Sequence, residues 1–167
     1  MDSDRIFFIT TITHQRQPIF RREATVNLLV EMLAHYRDQG KYLLHEFVIM
    51  PDHIHLLVTP AAEISLERAV QFIKGGFSFR LKSRGPVWQS GFTNHRVHDF
   101  DDYERHRDYI WMNPVRARLA ERPEGYPYSS AGGALRMDPV PPGLKPRSFE
   151  GALTRPLRRA SLAQGRL

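Results

Sequence analysis

The chain contains no cysteine. Disulfides, thiolate nucleophiles and cysteine-ligated zinc are thereby excluded. It has no apolar run near the ~18–20 residues that a membrane-spanning helix requires. Nucleotide-binding glycine loops are missing too, as is any internal repeat. The first residues, MDSDRIFFITT, are acidic and then strand-like, without the basic and apolar regions of a secretory signal. These absences fit a cytoplasmic protein. Acidic side chains are in the minority, 18 Asp and Glu against 24 Lys and Arg, giving a sequence pI near 10.0. A polyanion is the partner such a balance suggests, most often nucleic acid. What is present is 167 residues with 41% hydrophobic content, enough for one domain with a real core.

The most informative stretch is FVIMPDHIHLLVT, Phe47 to Thr59. Two apolar runs flank a Pro-Asp turn, because proline presets φ and Asp suits the next position. Both runs read as strands of one hairpin. Side chains alternate along a strand, so His53 and His55 share one face while Ile54, Leu56 and Val58 share the other. Two imidazoles about 6–7 Å apart along a strand can converge on one divalent cation. Hydrogen bonding within the strand pair is the plain alternative for them. With a two-residue loop, Val48 faces His55 and Glu46 faces Leu57. Glu46 then lies diagonally from His55 as a candidate to orient it, or is simply an edge glutamate.

Around the hairpin the chain alternates. Ile6 to Thr13 reads as a strand and HQRQPIFRRE as a loop. Val26, Leu29, Val30 and Leu33 form a helical stripe closed by Gly40. Ser65 can cap a second helix carrying Leu66, Val70, Ile73, Phe77 and Leu81. Gly75 and Gly76 inside it point to close packing or to the approach of a nucleic-acid backbone. A short strand within Val87 to Val97 bends at Gly91, and a third helix starts near Asp99. The order predicts an α+β fold with a ferredoxin-like β-α-β-β-α-β core, an antiparallel sheet and one extra helix. Two helices cover one sheet face, leaving the other to the histidines. After Leu119 the composition shifts to proline, arginine and glycine, and residues 120–167 read as an extended tail, partly docked through Tyr126 and Tyr128 and loose towards the end, basic and Pro/Arg-rich from Gly132.

In the third helix, Tyr109 and Asn113 are four apart and so neighbours on one face, with Arg105 a turn earlier. Pro114 opposes this by biasing Asn113 away from helical angles. Asn113 then reads either as the N-cap of a new short helix with Pro114 at its first position or as a metal ligand beside Tyr109.

Several separated segments resemble one known family in the same order: FVIMPDHIHLLV, FIKGGFSFRL, VWQSGFTNHRVHD, DYIWMNPVRARLAERPEGYPYSS and, more loosely, THQRQPIF. Over residues 5 to 131 the chain is similar to the REP-associated tyrosine transposases of the HUH single-tyrosine nuclease superfamily. The resemblance implies that residues 1–131 are the transposase domain and that 132–167 are an appended tail. It implies Tyr109 as nucleophile, with His53, His55 and Asn113 as ligands of Mg²⁺ or Mn²⁺. The implied substrate is single-stranded hairpin DNA from repeated extragenic palindromes, cut and rejoined through a 5′-phosphotyrosine by a protein acting as a monomer. A hairpin-binding protein without cleavage, or a phosphodiesterase using water, are the alternatives. Lys74, Arg80, Lys82, Arg84, Arg96, Arg116 and Arg118 are expected to hold the DNA backbone near the open face. Lys145, Arg147, Arg155, Arg158 and Arg159 are expected to add to them from the tail.

Overall fold

A computed structural model describes residues 5–144. The element order is β1 (Phe7–Ile12), α1 (Glu23–Asp38), β2 (Tyr42–Met50), β3 (His53–Pro60), α2 (Leu66–Leu81), β4 (Thr93–Arg96) and α3 (Phe100–Arg116). The strands pair antiparallel in the order β2-β3-β1-β4. This is the expected split β-α-β-β-α-β arrangement with one added helix. Among the described residues, no helix is long and apolar enough to cross a membrane.

Strand alternation sorts the side chains into two cores. Ile9, Ile54, Leu56 and Val58 face Leu29, Leu33, Val70, Ile73 and Phe77 of α1 and α2. Val48, Met50 and Leu57 face the opposite way, against Tyr103 and Ile110 of α3. Each large apolar side chain so buried contributes about 1.5–3 kcal/mol. The third helix is thus packed on the sheet through its own apolar stripe.

Local signals place the helix ends. The Ser65 hydroxyl accepts the Arg68 amide at 3.1 Å, and Asp99 accepts the Asp102 amide at 2.8 Å, so both act as N-caps. Gly40, at φ +72, supplies the left-handed turn after α1. Pro114 does not break α3, which runs on to Arg116. The proline falls in the last turn, where its missing N–H costs a single bond, and it is itself buried. Asn113 is therefore a helical residue in register with Tyr109, not the cap of a new helix.

The paired glycines of α2 have different reasons. A Cβ on Gly76 would sit 2.2 Å from the Tyr36 hydroxyl, with two ring atoms also under 3 Å, while a Cβ on Gly75 meets nothing within 4 Å. Close packing on α1 thus accounts for Gly76 alone. Gly75→Ala should stabilise by about 0.5–1 kcal/mol through helix propensity. Gly76→Ala should destabilise by about 1–3 kcal/mol, because the Tyr36 ring must move. Paired denaturant melts check both signs.

The chain stays on the core beyond Ala131. Tyr128 and Ser130 exchange main-chain bonds with β2, Ile49 N to Tyr128 O at 2.9 Å and Ser130 N to Phe47 O at 2.9 Å. The Tyr126 hydroxyl donates to Ile49 O at 2.7 Å. Further on, Asp138 brackets Leu44 through two bonds of 2.8 Å, and Leu144 is buried in the second core. The segment expected as tail from Gly132 is thus docked as far as Leu144. Lys145, Arg147, Arg155, Arg158 and Arg159 lie outside the described residues.

Candidate active site

The hairpin register is the one the sequence implies. Val48 pairs with His55, Met50 with His53 and Glu46 with Leu57. His53 and His55 accordingly project from β3 towards α3, with ring centroids 4.8 Å apart. Each ring is held through one nitrogen. His53 Nδ1 lies 2.6 Å from Asp52 Oδ1, and His55 Nδ1 lies 2.7 Å from the Thr10 hydroxyl. Phe8 stacks on His55 at 5.3 Å and fixes the ring plane. His55 Nε2 is buried and has no hydrogen-bond partner among the described residues. An orphaned buried polar nitrogen costs about 1–3 kcal/mol, and with Nδ1 donating to Thr10 its free lone pair suits a cation.

The electrostatics agree. Burial, with the neighbouring His53 second, pushes the His55 pKa down to about 3, so its lone pair is available at neutral pH. Burial alone would raise the Asp52 carboxyl, but hydrogen bonds from His53 and Arg16 hold it below its usual range. Asp52 therefore stays charged and orients His53, the carboxylate–imidazole pairing that accompanies metal-binding histidines. Two imidazoles, each with one nitrogen engaged behind it, form a donor set that fits a divalent cation.

The phenol arrives from α3. The ring centroid of Tyr109 is 5.2 Å from that of His55, at 74°. Tyr109 is 41% exposed, so a ligand can reach its hydroxyl. The guanidinium of Arg116, two turns on, sits 5.6 Å from the same ring. Histidine pair, phenol and arginine thus share one open patch between β3 and α3. Residues 5–111, which include both histidines and the tyrosine, match the family described as Transposase IS200 like. The chain belongs to that transposase family.

Relatives of this IS200-like transposase carry a more specific description. It is 27% identical over 139 residues to the REP-associated tyrosine transposase of Escherichia coli, covering 80% of this chain and 81% of that one. It is 28% identical over 142 residues to a putative REP-associated tyrosine transposase of Haemophilus influenzae, covering 75% and 78%. A solved structure of a REP-associated tyrosine transposase bound to a REP hairpin has the same fold, with TM-score 0.65, 22% identity and coverage of 96% and 94%.

Other expected site residues of the transposase land unevenly. Asn113 is half-buried, one helical turn after Tyr109. Glu46 does not orient His55; Thr10 does. The Glu46 carboxylate instead accepts Trp111 Nε1 at 2.9 Å and the Ser130 hydroxyl, tying α3 and the docked C-terminal segment to β2. Burial raises its pKa. Among the basic residues, Arg116 reaches the site and Arg118 follows the same helix. Lys74, Arg80, Lys82 and Arg84 belong to α2 and the turn after it, and α2 covers the other sheet face. Lys74 donates to the carbonyls of Gln89 and Gly91 at 3.0 and 2.7 Å and so ties α2 to the loop before β4. Arg96 pairs with Phe7 on edge strand β4, again on the α2 side by alternation.

Thr10, Phe8 and Asp52 are the site residues sequence reading does not single out. Asp52 has a local signal, because it abuts His53 in PDHIH. Thr10 and Phe8 have none, because their role depends on β1 pairing with β3 at Thr10↔His55.

Proposed function

We propose that this chain is a REP-associated type of transposase that cleaves and rejoins single-stranded hairpin DNA through Tyr109, with Mg²⁺ or Mn²⁺ held by His53, His55 and Asn113. The observation that carries the reading is the phenol resting against an imidazole whose Nε2 is buried and without a hydrogen-bond partner among the described residues. Support for the substrate comes from relatives named for REP association and from the hairpin bound to the structural neighbour. The basic balance of the chain agrees.

The chemistry follows from the residues. The deprotonated Tyr109 oxygen attacks the scissile phosphorus. An O–P bond to tyrosine forms as the P–O3′ bond breaks, and the leaving oxygen takes a proton to become a free 3′-hydroxyl. The 5′ side remains attached to Tyr109 as a phosphodiester. A second 3′-hydroxyl reverses the exchange and joins strands, with no external energy source because each ester bond replaces another. A bound divalent cation supplies Lewis-acid polarisation of the phosphate. Arg116, beside the phenol, attracts an approaching phosphate, while Arg118 and more distant basic groups grip the backbone. The histidine pair, Tyr109 and Arg116 come from one chain, which supports action as a monomer, and a role on DNA suits a nucleoid-associated cytoplasmic protein.

The reading is tested by incubating the protein with labelled REP-type hairpin DNA and Mn²⁺, then denaturing. A covalent protein–DNA band that requires the cation is expected. Retarded DNA in a native gel without any covalent band would make the chain a hairpin-binding protein. A milder variant probes the support behind His55. Thr10→Val keeps shape but removes the hydroxyl at Nδ1, and should weaken Mn²⁺ binding about 10–100-fold. Isothermal titration of the variant against wild type measures it.

A further inference from the structure

The motif VWQSGFTNHRVHD contributes histidines that the site above does not use. Edge strand β4 carries His95, and His98 follows it, against the first turns of α3. There Asp102 is only 4% exposed. One ring nitrogen of each histidine and one carboxylate oxygen of Asp102 all lie within 4.8 Å of one another. His95 Nε2 is 2.8 Å from Asp102 Oδ2, and the His98 main-chain amide donates to that same oxygen at 3.0 Å. The His95 and His98 rings stand nearly perpendicular, 5.4 Å apart. His106 stacks on His95 at 4.8 Å and sets its Nδ1 2.8 Å from Asp102 O and 3.3 Å from Oδ1.

A carboxylate this buried is uncommon without strong partners. Among the described residues its one cationic side-chain contact other than histidine is Arg105, at 3.2 Å, whose side chain is 69% exposed and can rotate into solvent. Two imidazoles and one carboxylate are the donor set of borderline divalent metals, Zn²⁺ foremost. Mg²⁺ prefers all-oxygen ligands and gives up its waters reluctantly. The hydrogen bond of His106 goes to the Asp102 main-chain carbonyl, while the His98 amide on Oδ2 is the bond that orients the carboxylate. The cluster is separate from the strand pair. Phe8 lies between them, stacked on His55 at 5.3 Å and packed on His106 at 4.6 Å.

We infer that His95, His98 and Asp102 form a second metal site, specific for a transition metal of the Zn²⁺ class. The cation replaces the hydrogen bond between His95 and Asp102 and cross-links β4 to α3. Asp102 lies seven residues before Tyr109, about 10 Å along the helix axis. The second ion would thus act as a clamp that holds the helix bearing the nucleophile, not as a participant in the chemistry. Nothing in this inference depends on metal binding at His53 and His55.

Equilibrium dialysis of the full chain against Zn²⁺ tests it, with bound metal counted per chain. In a His53→Ala/His55→Ala background one Zn²⁺ should still bind, and adding His95→Gln and His98→Gln should abolish it. Co²⁺ in the same background should give visible d–d absorption that those two substitutions remove. Circular dichroism confirms that each variant is folded, and His95→Ala/His98→Ala serves if the glutamines disturb β4. Zn²⁺ uptake undiminished by folded His95 and His98 variants overturns the inference, as does absence of uptake in the background variant. Failure of the strand-pair reading registers separately, as unchanged uptake on replacing His53 and His55.

Discussion

Tyr109→Phe is expected to leave hairpin binding within about twofold of wild type while lowering covalent attachment and strand cleavage by a thousandfold or more, roughly the scale on which loss of a nucleophile is felt. The substitution removes one oxygen. The ring that packs on His55 and beneath Arg116 is retained, and Tyr109 is 41% exposed, so little stability rests on its hydroxyl. The loss should therefore fall on chemistry and not on folding or affinity. A native gel and a denaturing gel run on the same reactions separate the two. Cleavage at the wild-type rate in the variant would assign the attack to water and leave Tyr109 a structural tyrosine.

His55→Ala is expected to be as damaging by a different route. The ring is 4% exposed and lies between Phe8, His53 and Tyr109. Removing it deletes the atom proposed to hold the cation and frees the Thr10 hydroxyl. Loss of Lewis-acid assistance worth several kcal/mol corresponds to about a thousandfold in rate. Hairpin binding should survive, because the backbone contacts proposed above are assigned to arginines and not to this ring. The signature is a cleavage rate that no longer responds to Mn²⁺. A normal Mn²⁺ titration curve in His55→Ala would remove the histidine pair from the reaction.

The parts of this site that sequence reveals are those governed by local rules. The Pro-Asp turn and strict alternation specify the hairpin, its register and the shared face of His53 and His55. Tyr109 is found through helical spacing and the likeness of its surrounding motif. The continuation of α3 through Pro114 is decided by tertiary packing, since the proline is buried in the last turn and local propensity argues for a break. Glu46 is misplaced by diagonal distance alone, because its partners Trp111 and Ser130 are 65 and 84 residues away. Lys74 illustrates a third limit. Its charge suggests DNA, yet its ammonium is bonded to the carbonyls of Gln89 and Gly91, and burial lowers its pKa. Composition counts charges but does not say which of them the fold has already used. The His95, His98 and Asp102 cluster is likewise invisible until β4 and α3 are brought together.

The atom that takes the DNA separates attack by Tyr109 from attack by water. Wild-type protein reacted with hairpin DNA and Mn²⁺, digested with nuclease and trypsin and then sequenced by mass spectrometry, gives that answer directly. A nucleotide on the tyrosine of the peptide DYIWMNPVR, which contains Tyr109, is the result predicted. A nucleotide on any other side chain, or cleaved DNA bearing a free 5′-phosphate with no protein attached, would contradict it.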